Sequence, residues 1–227
     1  MPRDAHGTRE QIMRAAERLF AQYGYANVSL KGINEAAGQL NKSALQYHFG
    51  SREGVLAAIL REHLVNDDVR TDAAVKVLRE QPEVSTYEVM AAATSSILDL
   101  LKQGQRGYDV SRICCELGMQ LEGGPPTLRK LLGRRPDNVN PFRALLKRAN
   151  PALNEDVLEL RFHLAVRMAF AVVSDRAAEL SGNPGHKPLL SHEEFAENLI
   201  SMLAAAVSAP SGAPDIKGRD DGPARVS

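Results

Sequence analysis

The sequence predicts an all-α fold, a small N-terminal domain of short helices followed by a larger helical domain. Three observations predict it. Apolar residues recur at three- and four-residue steps along most of the chain. Helix-opening Ser, Thr or Asn residues stand ahead of those stretches, and Gly or Pro behind them. No stretch alternates apolar and polar residues as a half-buried strand would.

The first helix is expected to open at Thr8, with Gln11 completing a capping box, and to bury Ile12, Ala15, Ala16, Leu19, Phe20 and Tyr23. Gly24 suits its left-handed end. Ser29 caps a short second helix with Leu30, Ile33, Ala36 and Ala37 as its inner side, ended by Gly38. Asn41 caps a third short helix over residues 41–48, with Leu45 and Phe49 facing inward. Ser51 caps a fourth carrying Val55, Leu56, Ile59 and Leu60. Beyond about Asn66 the helices lengthen, with breaks expected at Gln81-Pro82 and at residues 104–107, 123–126 and 134–141. Two late helices are the best defined: about 154–180, and one opening with the box Ser191 to Glu194 and running to about Val207. Phe195, Leu199, Met202, Leu203 and Ala206 form one stripe on the last helix, and Ile200 and Val207 widen it. The expected divisions are 1–50, a domain of short helices; 51–208, a larger helical domain with 51–66 as connector; and 209–227, a disordered Gly-, Pro- and charge-rich tail.

Composition narrows the class. With 227 residues, 44% hydrophobic and 25% charged, the chain has room for a sizeable core. No apolar run approaches the roughly 18 residues a membrane span needs, and the N-terminus lacks a secretory apolar stretch, so a cytoplasmic protein is expected. Lys and Arg total 28, as do Asp and Glu, so total charge offers no argument for nucleic-acid binding. Residues 1–64 hold eight basic and six acidic side chains, only a mild excess.

The segment 29–53 compresses a short amphipathic helix, a Gly turn, another short helix and a new cap into one unit, which is helix-turn-helix grammar. With Phe20 and Gly24 ahead of it, and through Ser29, Ile33, Ala37, Gly38, Leu45, His48, Phe49, Arg52 and Val55, it resembles the DNA-binding domain of TetR-family regulators. Three features depart from the family pattern. The stretch between Gly38 and Phe49 is one residue longer, Gln46 fills a slot usually held by tyrosine with Tyr47 next to it, and Asn34 stands where a small residue is usual.

Independently of the resemblance, placing Leu45 and Phe49 against the core turns Ser43, Gln46 and Tyr47 outward as an acid-free, hydrogen-bonding face. Gln46 suits an adenine edge, and Lys42 and Lys31 suit phosphates. Ser43 adds a phosphate donor. His48 completes the expected DNA-binding set by the resemblance. A short reading head makes few base contacts, so a two-fold dimer on a palindromic operator of double-stranded DNA is expected. The resemblance implies that the last two helices dimerise, that a small-molecule effector binds the second domain, and that the protein is a repressor released by that effector.

Within residues 162–173, His163 and Arg167 are the strongly polar side chains, four residues apart on one helical face. With Arg112 they are candidates for an anionic effector; Met119, Leu121, Phe142, Leu146, Phe162 and Met168 are candidates for an apolar wall. Core packing and solvent-facing roles are the alternatives. Cys114 and Cys115 are adjacent, and neighbouring α-carbons stand about 3.8 Å apart, too close for an unstrained disulfide. Buried free thiols are expected. The histidines lack zinc-ligand spacing, with His186 and His192 flanking a loop, so neither metal nor cofactor is expected. No nucleophile elbow, phosphate loop or paired-His motif argues for an enzyme. A helical enzyme and a protein-interaction module are the rival classes.

Overall fold

Ile12, Ala15, Ala16 and Phe20, each at most 1% exposed, form the inner face of the first helix in the computed structural model, which describes residues 5–39, 44–64, 67–119, 140–182 and 188–210. Every regular element among the described residues is helical. The expected cap at Thr8 is corrected, because α1 runs Ala5–Tyr23 and carries Thr8 inside it. Gln11, expected in that cap, instead accepts a hydrogen bond from the Gln39 amide at 2.9 Å. Tyr23, expected on that inner face, is 54% exposed.

A 3-10 turn, Tyr25–Asn27, leads to α2 (Leu30–Ala36), whose cap Ser29 accepts from the Gly32 amide at 3.1 Å. Its inner face differs from expectation by one position: Ile33 and Asn34 are buried and Ala36 is exposed. Residues 30, 33, 34 and 37 are the true i, i+3, i+4, i+7 set, so Asn34 takes the place expected for Ala36. Gly38 (φ 65°) closes α2 in a Schellman motif, its amide donating to the Glu35 carbonyl and that of Gln39 to the Asn34 carbonyl, both at 3.0 Å.

α3 is described over Ala44–Phe49, and α4 (Arg52–His63) follows behind the Ser51 cap. The expected cap Asn41 lies outside the described residues. Six consecutive residues of α4, Val55 to Leu60, are buried, because the helix packs on α1 and α3 on one side and on α7 on the other.

The larger part comprises α5 (Asp67–Glu80), α6 (Thr86–Leu100), a 3-10 turn Leu101–Gln103, α7 (Gly104–Met119), α8 (Arg143–Ala149), α9 (Glu155–Gly182) and α10 (His192–Ser208). α9 lies along α7 and α10, and α6 packs between α7 and α10. The break expected at 104–107 lies at 101–104, where the 3-10 turn ends on Gly104 (φ 65°). Gly107 is inside α7, where an added Cβ would stand 1.9 Å from the Leu100 carbonyl oxygen, so it serves close approach and not helix termination. The expected breaks at 123–126 and at 134–139, Leu121, and the tail from residue 211 lie outside the described residues.

Both late helices match expectation well. Ser191 and Glu194 form the expected reciprocal capping box. On α10 the buried residues are Leu199, Ile200, Leu203, Ala204 and Val207, while Met202 and Ala206 face outward. Apolar side chains from α1 through α10 join in one continuous core. No described helix is long and apolar enough to cross a membrane.

Candidate nucleic-acid interface

Leu45, 1% exposed, anchors α3 to the core and Phe49 packs beside it, which turns Gln46 and Tyr47 outward. Tyr47 is 84% exposed, and its ring meets that of partly buried His48 edge-on at 5.2 Å. The outward face is thus neutral and rich in hydrogen-bonding groups. Lys31 is exposed on α2 with its Nζ 3.7 Å from Glu35, one turn away. Such an exposed pair holds the ammonium weakly, about 0–1 kcal/mol, and leaves it available to a stronger anion. Lys42 and Ser43 lie outside the described residues.

Several long-range contacts that set the position of this face have no signal in sequence spacing. Arg52, at the first turn of α4, donates through Nη1 to the carbonyls of Ala26 and Val28, both at 3.1 Å. Its guanidinium lies 4.4 Å from the centre of the Tyr25 ring, and the Tyr25 hydroxyl donates to Glu53 at 2.9 Å. The turn before α2 is therefore fastened to the start of α4, with α3 held between them. Burial and the Glu53 carboxylate push the Tyr25 hydroxyl up, and Glu53 is held low by its own backbone amide and by Tyr25. Arg9 of α1 covers the Phe49 ring at 5.3 Å. From α7, Glu116 accepts the Tyr25 amide at 2.9 Å.

A second polar cluster lies where α1, α4 and α7 meet. Glu17, with a side chain only 2% exposed, accepts from Arg106 Nε at 2.8 Å and Nη2 at 2.6 Å, and Arg106 also reaches Glu62 at 2.8 Å. The Nε2 of His63 is 3.1 Å from Glu17 Oε1, and its Nδ1 is 2.6 Å from Gln103 Oε1. A carboxylate oxygen of each of Glu17 and Glu62 and a ring nitrogen of His63 lie within 4.8 Å of one another, and the Arg106 guanidinium pairs with both acids.

The candidate effector residues fall in separate places. Phe142 and Phe162 are buried with ring centroids 5.9 Å apart. Arg112 is half-buried, its Nη2 3.4 Å from Ser181 Oγ. Ser181 is on the same helix as His163 but 18 residues further on, about 27 Å along the axis at 1.5 Å per residue, so Arg112 does not join His163 and Arg167. His163 is exposed and hydrogen-bonded through Nδ1 to the Glu159 carbonyl at 2.8 Å. With Leu160, Leu164, Arg167 and Met168 it forms an i, i+3, i+4, i+7, i+8 stripe on the outer side of α9, in which both leucines and Met168 are exposed. The side chain of Met119 lies outside the described residues. An open cleft of about 160 Å³ is lined by Arg143, Leu146, Lys147, Glu155, Leu158 and Glu159. Of the expected wall, only Leu146 lines it. Cys114 is buried and Cys115 partly so, neither is in a disulfide, and burial pushes the Cys115 thiol up.

Known proteins share both parts of this architecture. Residues 12–59 match the family described as bacterial regulatory proteins, tetR family, and residues 91–206 match the tetracyclin repressor-like C-terminal domain. The chain is 32% identical to the HTH-type transcriptional repressor AcnR of Corynebacterium efficiens and of Corynebacterium glutamicum over 81 residues, 34% of this chain and 43% of theirs. The chain thus spans less than half the length of these curated relatives. Its fold is similar to that of the ketosteroid transcriptional regulator KstR2 of Mycobacterium tuberculosis, with TM-score 0.57, 16% identity, and coverage of 87% of this chain and 93% of that one. NalD of Pseudomonas aeruginosa, the secondary repressor of the MexAB-OprM multidrug efflux pump, is similar with TM-score 0.54, 20% identity, and coverage of 89% and 97%. A helix-turn-helix matched at the N-terminus and a regulator's C-terminal domain matched over half the chain assign it: the chain belongs to the tetR family of bacterial regulatory proteins.

Proposed function

We propose that the chain is a sequence-specific DNA-binding repressor that grips a palindromic operator as a homodimer and is released by a small-molecule effector. The observation that carries this reading is α3, which turns Gln46 and 84%-exposed Tyr47 outward beside a buried Leu45. Gln46 reads a base edge, Tyr47 and His48 flank it, and Lys31, Lys42 and Ser43 hold phosphates. The repressor names of AcnR and NalD support the sign of regulation.

Two copies meet through the last two helices in this reading. Leu160, Leu164 and Met168 are 61%, 52% and 42% exposed at four-residue spacing on α9, and Met202 is 53% exposed on α10. Apolar rows of this kind suit a partner helix. His163 and Arg167 share the α9 stripe and fit that surface better than an effector pocket. Phe142, Phe162, Met119 and Arg112 stay as the effector candidates, and residues 1–50 and 51–208 as the reading and sensing parts of a cytoplasmic protein.

The test is binding of the purified chain to fragments of its native upstream DNA. The reading expects one dimer per palindrome, steep salt dependence, and loss of sequence preference in Gln46→Ala. Weak binding, equal on every fragment, would overturn it.

A further inference from the structure

The Glu17, His63 and Arg106 cluster joins the parts matched by the two family descriptions. Glu17 lies on α1 within the first match, Gln103 and Arg106 lie within the second, and His63 ends α4 between them. The His63 side chain is only 5% exposed. Its Nε2 faces a carboxylate oxygen of Glu17, which only accepts, and its Nδ1 faces the amide oxygen of Gln103, which also only accepts. With the Gln103 amide placed this way both ring nitrogens donate, which is the hydrogen-bonding pattern of an imidazolium.

Charge balance points the same way. Glu17 and Glu62 supply two negative charges, and Arg106 and imidazolium His63 supply two positive ones. Removing the His63 proton leaves an uncompensated negative charge around a carboxylate that is almost wholly shut off from water. It also requires the Gln103 amide to turn and present its nitrogen to Nδ1. Asp109, buried on α7 and within electrostatic reach of Glu17, deepens the excess if ionised; Gln105 donates to it at 2.9 Å, and Arg112 and Arg18 face it.

We propose that His63 is a proton-binding latch between the N-terminal head and the larger domain: protonated, it fastens α4 to α1 and to the turn before α7, and deprotonated, it loosens that joint. The latch itself involves no DNA contact. Its effect on operator affinity rests on the function proposed above.

The direction of titration agrees with the geometry. Burial alone would lower the His63 value, but the hydrogen bonds to Glu17 and Gln103 outweigh it and raise the group above its ordinary 6.5. A group raised in the folded state stabilises fully below its unfolded value and loses that contribution as pH rises through its folded value. The latch is therefore closed below about 6.5 and opens on the alkaline side.

The experiment uses the full chain. Imidazole resonances are titrated by NMR, with His63 assigned from the signal missing in His63→Gln, and amide protection along α4 is measured from about pH 6 to about pH 9, a range that brackets the ordinary histidine value, after correction for intrinsic exchange. The expected wild-type midpoint lies above 6.5, with α4 protection falling about tenfold or more as it is passed, and with no such fall in His63→Gln. Gln103 is exposed, so Gln103→Leu keeps the fold and is expected to move the midpoint to lower pH. A wild-type midpoint at or below 6.5, identical protection curves for wild type and His63→Gln, or an unmoved midpoint in Gln103→Leu overturns the latch. If His63→Gln does not fold, the midpoint and the Gln103→Leu shift decide. Operator affinity measured over the same pH range separates the two proposals: a protein that binds no DNA at any pH rejects the regulatory reading, while NMR and exchange still judge the latch.

Discussion

Gly54 approaches Phe49 so closely that a Cβ built on it would stand 1.9 Å from the Phe49 carbonyl oxygen. The approach crosses the corner between α3 and α4, where Ser51 also accepts from the Gly54 amide at 3.1 Å. Because the obstacle is backbone, a side chain here cannot be accommodated by a rotamer change. Gly54→Ala is expected to cost about 1–3 kcal/mol in thermal or urea unfolding and to displace α3. Wild-type stability in that variant would show that the corner is not this tight.

Base readout and phosphate binding separate by their salt dependence. Gln46→Ala is expected to cost about 1–3 kcal/mol on the preferred operator and to relax preference at one base pair per half-site, with little change in salt slope. Lys42→Ala should weaken all DNA alike and reduce the slope by roughly 0.9 for each duplex phosphate that is no longer neutralised. Titrations of both variants at several salt concentrations check this, and the opposite pattern would exchange the two roles.

Leu164→Glu places a charge in the middle of the exposed α9 stripe. The expected result is a folded monomer by analytical ultracentrifugation, with helical content retained, because Leu164 is 52% exposed within the chain. A variant that remains dimeric excludes this stripe as the dimer surface.

Acid and alkali act on the α1, α4 and α7 cluster from opposite sides. Burial by itself would raise the Glu17 carboxyl, but Arg106 and His63 outweigh it and hold the group below its ordinary 4.5. A depressed carboxylate contributes stability above its unfolded value and loses it as pH falls through its folded value. Wild-type stability should therefore drop more steeply below about pH 4.5 than that of Glu17→Gln, as followed by urea unfolding at a series of pH values. Arg106→Ala leaves Glu17 buried without its main partner, and with Arg106 itself one-third exposed the expected loss is about 2–3 kcal/mol at neutral pH.

Much of the scaffold was legible in local residue order. Ser29, Ser51 and Ser191 cap the helices expected of them, and α9 and α10 end within two residues of expectation. Gly38 closes α2 as its lack of a Cβ allows. Where reading by local pattern failed, the reason is packing. Thr8 resembles a cap, yet α1 continues through it. Ala36 resembles a core residue, yet the rotation of α2 on α1 gives that place to Asn34. Gly107 resembles a breaker, yet it lies within α7 where Leu100 comes close.

By itself the sequence determined the all-helical class, the helix-turn-helix and the outward place of Gln46 and Tyr47, because caps, glycine turns and apolar periodicity act within a few residues of themselves. Only the tertiary structure decided that Glu17, His63 and Arg106 meet, that Arg52 ties the turn before α2 to α4, and that Arg112 is remote from His163. Those relations join residues 24 to 89 positions apart, or set the distance between points along one long helix, and they depend on how the helices pack. A polar residue carries no local mark of which distant partner removes it from water.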